Sequence, residues 1–245
     1  RTKNGAKLSV VDDMSLEGKH KSLVYVEDVL DTLQKLAIFH RDRLNIPVIG
    51  LTGSNGKTTT KNLIEKVLSL SFKVLATEGN LNNHIGVPLT ILKIKDHHQI
   101  AIIEMGASAV GEIELLSNIS KPTIGMITNI SNAHVEGFEN IDGVIRGKSE
   151  LFNFLLKNKG QVIINNKDEI IKNFSKRFTD AIQLVGEGSI IQVQLIESIP
   201  NLKFKIQKET FESSLFGDYN FQNILFALTV GKFFDIDEKD AAREI

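Results

Sequence analysis

A glycine-rich turn between an apolar run and a helical pattern constrains this chain more than any other feature. Residues 48–51 read Val-Ile-Gly-Leu, a run suited to a strand buried on both faces, and residues 53–58 read Gly-Ser-Asn-Gly-Lys-Thr. Glycines let consecutive backbone N–H groups curl around phosphate oxygens, and the helix start adds the positive end of its dipole. The sequence therefore predicts a phosphate-binding loop for ATP or GTP.

The polar side chains of this loop have separate expected roles. Lys57 is expected to reach the β- and γ-phosphates as a point charge, and the Thr58 hydroxyl is expected to bind Mg²⁺. The common pattern has glycine where this chain has Leu51, so the spacing is shorter than usual. A glycine-rich turn without a ligand is the alternative, which the flanking strand and helix disfavour. The predicted nucleotide contacts are Gly53, Ser54, Asn55, Gly56, Lys57, Thr58 and Thr59.

Strands and helices are predicted to alternate along most of the chain, which is typical of a mostly parallel sheet with helices on both faces. The predicted strands are 48–52, 72–76, 99–104, 123–128, 161–165 and 181–185. The predicted helices are 28–43, 57–70, 87–94, 110–119, 141–157 and 167–177. Residues 1–22 read as a polar lead-in with little periodicity.

The pattern changes after Gly188. Apolar and polar residues alternate over 202–207, which with 190–196 and 210–216 predicts a small antiparallel meander. A last full helix is predicted over 220–234, with one apolar stripe formed by Phe221, Ile224, Leu225 and Leu228. The predicted fold class is α/β, a P-loop domain with a mostly parallel sheet flanked by helices and a small antiparallel meander.

The composition excludes several classes of protein. Lysine and arginine number 29 against 30 acidic residues, a net charge of −1, which rules out a bulk electrostatic footprint for nucleic acid or anionic membrane. The absence of cysteine excludes disulfides, zinc–thiolate sites and thiol nucleophiles. No stretch approaches the ~20 apolar residues that span a bilayer, and no signal-peptide core is recognisable. We expect no nucleic-acid or membrane partner and a cytoplasmic location.

Three further polar groups, Glu104, Asn129 and His134, fall near the carboxyl ends of predicted strands, where parallel sheets bind their ligands. Glu104 closes the run 100–104, and a carboxylate there can bind Mg²⁺ directly or through water. An ordinary charged residue at a strand exit is the alternative. His134 follows the strand end at Asn129 by five residues, so it is either a ligand or a histidine of the surface or core whose hydrogen bonds are satisfied within the protein.

Lys148 occupies the apolar face of the helix predicted over 141–157. Val144 precedes it by four residues and Leu151 follows it by three. Burial disfavours an ammonium and lowers its pKa, so an inward lysine needs an explanation. A structural salt bridge, snorkelling to water, and a neutral amine that adds carbon dioxide to form a metal-binding carbamate all remain open.

The loop over 77–86 contains three asparagines at 80, 82 and 83. A cluster of asparagine and glycine is common in turns, which is the simpler interpretation. Asn80, Asn82 and Asn83 also offer amide donors and acceptors suited to a polar ligand resembling a nucleotide sugar.

Together these motifs resemble the Mur ligase family, the ATP-dependent amide ligases of peptidoglycan precursor synthesis. The resembling segments follow the family's order over residues 47–235. They are TGSNGKTTTK at 52–61, TEGNLNNHIGVPLT at 77–90, IEMGA at 103–107, GEI at 111–113, ITNI at 127–130, AHVEGF at 133–138, GKSEL at 147–151 and GDYNFQN at 217–223.

The resemblance implies roles for single residues. Lys57 would bind the terminal phosphates of ATP, Thr58 and Glu104 would bind one Mg²⁺, and His134 would help to bind a second. Lys148 corresponds to the lysine that is carbamylated in the family, which adds it to the metal ligands.

Three further assignments concern the organic ligands. By resemblance, Asn223 contacts adenine, and the loop with Asn80, Asn82 and Asn83 faces the UDP-sugar peptide. Tyr219 stands where the family usually has histidine, so the resemblance assigns no role to that side chain.

The asparagine-rich run favours the family member that joins D-alanyl-D-alanine to UDP-N-acetylmuramoyl-tripeptide through an acyl phosphate, a step of cell wall biogenesis on which cell shape and division depend. A monomer is expected. Residues 1–45 resemble the tail of an N-terminal UDP-substrate domain with its linker helix, 46–235 the central ATP-binding domain, and 236–245 the start of a truncated continuation. With the C-terminal domain absent, this fragment is expected to be inactive alone.

Three other functions remain open at this stage. Another Mur-type or folylpolyglutamate-type ligase would share the phosphate loop, and the asparagine-rich loop discriminates against it. A P-loop switch or motor ATPase would respond to a protein partner rather than to a UDP-muramyl peptide. A non-catalytic nucleotide-binding module is disfavoured by intact Lys57, Thr58 and Glu104.

Overall fold

A six-stranded, all-parallel sheet forms the centre of the computed structural model, which describes residues 5–131 and 135–245. Its strand order is β4-β5-β3-β6-β7-β8. The strands are β3 (Val48–Thr52), β4 (Val74–Ala76), β5 (Ile100–Glu104), β6 (Ile124–Ile127), β7 (Gln161–Ile164) and β8 (Ile182–Gln183). Because β3 and β5 are buried at every position, their sequences are continuous apolar runs rather than alternating ones.

Helices cover both faces of this sheet. They are α1 (Val29–Asp42), α2 (Lys57–Ser69), α3 (Gly86–Leu92), α4 (Glu112–Ser120), α5 (Val135–Phe138), α6 (Ile141–Lys157), α7 (Glu169–Ser175), α8 (Asp218–Phe233) and α9 (Glu238–Glu244). Alternate residues of a strand enter opposite cores: Ile102 packs with α2 and α8, whereas Ile103 packs with α4 and α6. The predicted fold class is confirmed. Among the described residues, no helix combines the length and hydropathy required to cross a bilayer.

The antiparallel meander is present as β9 (Val193–Glu197), β10 (Leu202–Ile206) and β11 (Glu209–Ser213), in the order β11-β10-β9. The alternating pattern of β10 reflects one buried face, on which Leu202, Phe204 and Ile206 are fully buried. They join the core that contains α2 and α8, so the meander covers the outer side of α8.

The buried surface of α8 is wider than the predicted apolar stripe. Besides the four stripe residues, Phe226, Ala227 and Val230 are also buried, because α8 is enclosed by α2, the meander and α9. The buried polar residues Asn220 and Asn223 made the pattern look one-sided. A helix that is buried all round has no single apolar face.

The lead-in contains structure that its sequence did not indicate. A parallel pair of short strands, β1 (Ser9–Val11) and β2 (Leu23–Tyr25), is connected through a 3-10 turn at Met14–Leu16. Both strands have a half-buried, exposed, half-buried pattern. Three residues of this kind give a weak periodic signal, which explains why the pair was missed.

Candidate phosphate- and metal-binding site

The phosphate loop connects β3 to α2 at the carboxyl edge of the sheet. Gly56 lies directly before α2 with a φ of 78°, a conformation that L side chains adopt only under strain. A Cβ atom at this position would also lie 2.7 Å from Oδ1 of Asn223. No described acceptor pairs with the backbone N–H groups of residues 56–59, which leaves four donors at the N-terminus of a 13-residue helix. This arrangement suits a phosphate group.

The loop that follows β6 supports the phosphate loop from one side. The carbonyl oxygen and Oδ1 of Asn129 accept hydrogen bonds from the backbone N–H groups of Ser54 and Asn55, both at 3.0 Å. The hydroxyl of Thr128 donates to the carbonyl of Asn55 at 2.6 Å. Two predicted phosphate donors, the amides of Ser54 and Asn55, therefore already have acceptors, and the amides of residues 56–59 are the free ones.

Thr128 and Asn129 were not predicted as supports for the loop. The available signal was their position directly after a buried parallel strand, next in the sheet to the strand that leads into the phosphate loop. Gly53 completes the contact, because a Cβ there would lie 1.9 Å from the Thr128 hydroxyl oxygen.

Lys57 folds back over the phosphate loop. Its Nζ donates to the carbonyls of Gly53 at 2.7 Å and Ser54 at 3.2 Å. Partial burial lowers the pKa of Lys57, and the negative charge of Glu104 opposes that shift. The ammonium therefore contacts the loop carbonyls and interacts electrostatically with the acid at the end of the neighbouring strand.

Glu104 is the buried acid of this site, with 1% of its surface exposed. Its Oε1 accepts hydrogen bonds from the Thr58 hydroxyl at 3.2 Å and from Nδ2 of Asn82 at 2.8 Å. Its Oε2 is buried and has no partner among the described residues. A buried carboxylate oxygen without a donor is rare in proteins and is the atom that a cation would satisfy.

Lys148 lies on the inward face of α6 and is 3% exposed. Burial and the positive charge of Lys57 lower the pKa of Lys148 to about 8. Its Nζ lies 5.4 Å from the centre of the Phe138 ring. Gly147 admits this ring, since a Cβ at residue 147 would lie 2.5 Å from a ring carbon.

This geometry narrows the three interpretations of Lys148. Within residues 5–131 and 135–245, no carboxylate forms an ion pair with its amine, so a salt bridge is not found there. Its burial also excludes snorkelling to water. Neither observation tests the carbamate interpretation, which stays a prediction.

The structure brings Lys57, Glu104 and Lys148 together at one edge of the sheet. Lys57 interacts electrostatically with both of the others. His134, predicted as a ligand of a second metal, lies outside the described residues. No group of three or more His, Cys, Asp or Glu side chains suited to a metal was found in the described part of the chain.

A magnesium ion fits this part of the site chemically. Mg²⁺ is commonly bound through one or two carboxylates together with substrate phosphates and water. The free Oε2 of Glu104 and the adjacent Thr58 hydroxyl provide two oxygen atoms at the end of the phosphate loop.

The three asparagines of the 77–86 loop have different environments. Asn82 donates to Glu104, whereas Oδ1 of Asn83 accepts from the backbone N–H groups of Ile85 and Gly86 and so caps α3. Asn80 is exposed. A cavity of about 450 Å³ begins beside this loop. Its lining comprises Asn82, Asn83, His84, Gly106, Ala107, Ser108, Glu112, Leu115 and Leu116.

Asn223 lies beneath the phosphate loop rather than on an open surface. It is 4% exposed, its Oδ1 accepts from the Thr60 hydroxyl at 3.0 Å, and its Nδ2 donates to Asn220 at 2.9 Å. Tyr219, one position before Asn220, is 62% exposed and makes an edge contact with Phe216. The described residues provide an acceptor for one of the two Nδ2 hydrogens of Asn223.

A cavity of about 660 Å³ lies at the opposite edge of the sheet, beside the amino ends of β6 and β7. It includes Lys159 and Arg177 on its rim, but it is remote from the phosphate loop. Ligands of parallel sheets bind beyond the carboxyl ends of the strands, so this cavity is not the predicted site.

Comparison with known proteins places this geometry in context. Residues 51–231 match the family model described as the Mur ligase middle domain. The chain is 36% identical over 230 residues to the UDP-N-acetylmuramoyl-tripeptide–D-alanyl-D-alanine ligase of Bacillus subtilis, covering 92% of this chain and 50% of the relative. It is 39% identical over 140 residues to the Escherichia coli ligase of the same name, covering 57% of this chain and 31% of the relative.

Solved structures show the same similarity. The fold superimposes on MurF from Acinetobacter baumannii with a TM-score of 0.87 at 28% identity, covering 99% of this chain and 55% of that one. MurF ligase from Thermotoga maritima in complex with ADP gives a TM-score of 0.79 at 26% identity, covering 98% and 58%. The chain thus spans about half the length of the B. subtilis relative and of these two structures.

Proposed function

Because the chain belongs to the Mur ligase family, we propose that it provides the ATP-binding part of a ligase that joins D-alanyl-D-alanine to UDP-N-acetylmuramoyl-tripeptide. The observation that carries this proposal is the gathering of free helix amides, Lys57, Glu104 and Lys148 at one sheet edge. The names of relatives at 32–41% identity support the choice of substrates.

The proposed organisation extends beyond residues 51–231, which match the family model. Residues 46–235 form the central ATP-binding domain, and residues 1–45 belong to the tail of a UDP-substrate domain with its linker helix. Residues 236–245 begin a continuation toward a domain that presents the amine. The whole ligase is proposed to act as a cytoplasmic monomer in peptidoglycan precursor synthesis.

The proposed reaction has two balanced steps. A carboxylate oxygen of the tripeptide attacks the γ-phosphorus of ATP, the bond to the β–γ bridging oxygen breaks, and ADP leaves. The amine of D-alanyl-D-alanine then attacks the acyl carbon, releases inorganic phosphate and loses a proton to form the amide. Both steps place negative charge on phosphoryl and carboxyl oxygens, so positioning and charge stabilisation provide the catalysis.

The chain's own groups fit these requirements. The N–H groups of residues 56–59 would hold phosphate oxygens, and Lys57 would exchange its loop carbonyls for the β- and γ-phosphates. Glu104 and Thr58 would hold a Mg²⁺ ion, which neutralises phosphate charge when bound. His134 is proposed to contact a second Mg²⁺.

Lys148 is proposed to carry a carbamate. A pKa of about 8 leaves part of the amine neutral near physiological pH, and only the neutral amine adds carbon dioxide. Loss of one proton from the ammonium gives the neutral amine. Addition of carbon dioxide to this amine forms a nitrogen–carbon bond and releases a second proton, which leaves a negatively charged oxygen ligand for a metal. The amine lies 5.4 Å from the centre of the Phe138 ring, and both side chains are buried.

Two contacts with organic ligands complete the proposal. Asn223 would direct its remaining Nδ2 hydrogen toward adenine, close to the exposed Tyr219. Asn80 and Asn83, the two exposed asparagines of the loop, would contact the UDP-sugar peptide, and Asn83 lies beside the cavity.

Release of ADP tests the proposed function in the full-length ligase that contains this chain. ADP formation is expected to require both UDP-N-acetylmuramoyl-tripeptide and D-alanyl-D-alanine, and Lys57→Ala is expected to abolish it. Lys66→Ala is the matched control, because Lys66 is exposed on the same helix. ATP hydrolysis that ignores both substrates but responds to a protein partner would instead support a P-loop switch ATPase.

A further inference from the structure

The two oxygens of the Glu104 carboxylate have unequal environments. Oε1 receives both hydrogen bonds, from Thr58 at 3.2 Å and from Asn82 at 2.8 Å, while Oε2 receives none from the described residues. The contact from Asn82 is the shorter of the two and comes from a rigid planar amide rather than a rotating hydroxyl. The Asn82 contact therefore decides which carboxylate oxygen remains free.

Asn82 is itself held firmly at the end of β5. Its backbone carbonyl accepts from the N–H of Gly106 at 2.8 Å, and its own N–H donates to the carbonyl of Asn80 at 2.7 Å. A Cβ at residue 106 would lie 2.8 Å from Oδ1 of Asn82, so the amide packs over a position that admits no side chain. The Asn82 amide is thus fixed against Gly106, which follows Glu104 by two residues.

We propose that Asn82 is a positioning residue that anchors Oε1 of Glu104 and thereby presents Oε2 to the cation. This proposal rests on the proposed function, in which that cation is Mg²⁺ bound with a nucleotide. It changes the role of Asn82 from a contact with the UDP-sugar peptide to a support for the metal-binding acid.

The expected effect follows from the geometry. Without the amide, the carboxylate of Glu104 keeps one weaker hydrogen bond and can rotate about its last side-chain bond. Loss of a group that orients a metal ligand commonly weakens metal affinity by about 10- to 100-fold. Binding of the nucleotide without metal depends on the amides of residues 56–59 and is expected to stay unchanged.

Mn²⁺ is a suitable probe because its binding in the presence of ADP is measured directly by electron paramagnetic resonance. In the 245-residue chain, Asn82→Ala is expected to weaken Mn²⁺ about tenfold. Asn118→Ala is the matched control, since Asn118 is an exposed asparagine on α4 with no proposed role in the site, and it is expected to change Mn²⁺ affinity less than about twofold. ADP affinity in EDTA is expected to be equal for all three proteins.

Two further variants show whether Asn82 acts through Glu104. Gly106→Ala displaces the Asn82 amide while keeping it in the chain, and it is expected to weaken Mn²⁺ in the same way. Adding Asn82→Ala to Glu104→Gln is expected to produce no additional loss, because the acid is already absent. Gly106→Ala also serves if Asn82→Ala fails to fold.

The outcomes separate the two proposals. Suppose that the wild-type chain binds ADP and Mn²⁺, and that Asn82→Ala and Gly106→Ala bind Mn²⁺ as tightly as the wild type. The role of Asn82 is then overturned and the proposed function survives. If the wild-type chain binds neither, both proposals are overturned. Tenfold weakening that persists in the Glu104→Gln background would show that Asn82 acts independently of Glu104, which also contradicts the inference.

Discussion

The hydroxyl of Thr60 on α2 donates a hydrogen bond to Oδ1 of Asn223 on α8, at 3.0 Å. The two residues are 163 positions apart, and both are almost fully buried. This contact joins the helix that begins at the phosphate loop to the helix that carries the proposed adenine contact. The pair of Thr60 and Asn223 therefore contributes both to the packing of α2 against α8 and to the position of the proposed adenine contact.

Thr60→Val tests this pair with a substitution of nearly equal volume. Valine leaves Oδ1 of Asn223 buried without its donor, so the free energy of unfolding is expected to fall by about 1–3 kcal/mol. Thr60→Ser, which retains a hydroxyl, is expected to lose less than half as much. Urea denaturation measures both. Equal losses for valine and serine would show that the methyl group, rather than the hydrogen bond, is responsible.

Gly56→Ala tests the close approach between the phosphate loop and α8. The new methyl group would meet Oδ1 of Asn223 and would also require a φ of 78°. We expect at least a tenfold loss of ADP affinity by isothermal titration calorimetry. Gly79→Ala is the control, since its φ is 54° but no atom lies within 4 Å of the added Cβ. Equal effects on ADP binding would contradict the steric explanation.

Lys148 gives a prediction with a defined pH dependence. Its pKa is 10.5 in the unfolded chain and about 8 in the folded chain, so between these values only the unfolded chain holds the proton. The free energy of unfolding then rises with pH from about 8 to about 10. Below pH 8 the burial of the charged amine costs on the order of 3 kcal/mol.

Lys148→Met removes this cost. In buffer free of carbon dioxide, the variant is expected to be more stable than the wild type at pH 7, and its advantage is expected to shrink as the pH approaches 10. Lys66→Met on the exposed side of α2 is expected to show no such trend. Urea denaturation across this pH range checks the prediction. A stability difference that is constant with pH would contradict the depressed pKa.

The sequence was most informative where local signals and burial agree. The helix predicted over 141–157 is present with the same ends, because Asn140 caps its first turn and its apolar residues keep a helical period. The strand predicted over 48–52 is also present with the same ends. Its short apolar run matches a strand that is buried on both faces. The phosphate loop was predictable because the strand before the glycine turn and the helix after it were both predictable.

The contacts of the site that were missed have a common physical cause, which is that polar side chains find their partners only in three dimensions. Asn82 and Asn83 look equivalent in sequence, yet one contacts Glu104 and the other caps α3. Glu150 likewise reaches from α6 to accept hydrogen bonds from the N–H groups of Gly111 and Glu114 at the start of α4. Spacing along the chain carries no signal for such contacts.

The most direct measurement of the central claim is a crystal structure of the 245-residue chain with Mn²⁺ and a non-hydrolysable ATP analogue. The anomalous signal of Mn²⁺ is expected beside Oε2 of Glu104 and the Thr58 hydroxyl, with phosphate oxygens on the N–H groups of residues 56–59 and Nζ of Lys57. A nucleotide bound elsewhere, or a metal that leaves Oε2 of Glu104 without a ligand, would contradict the account.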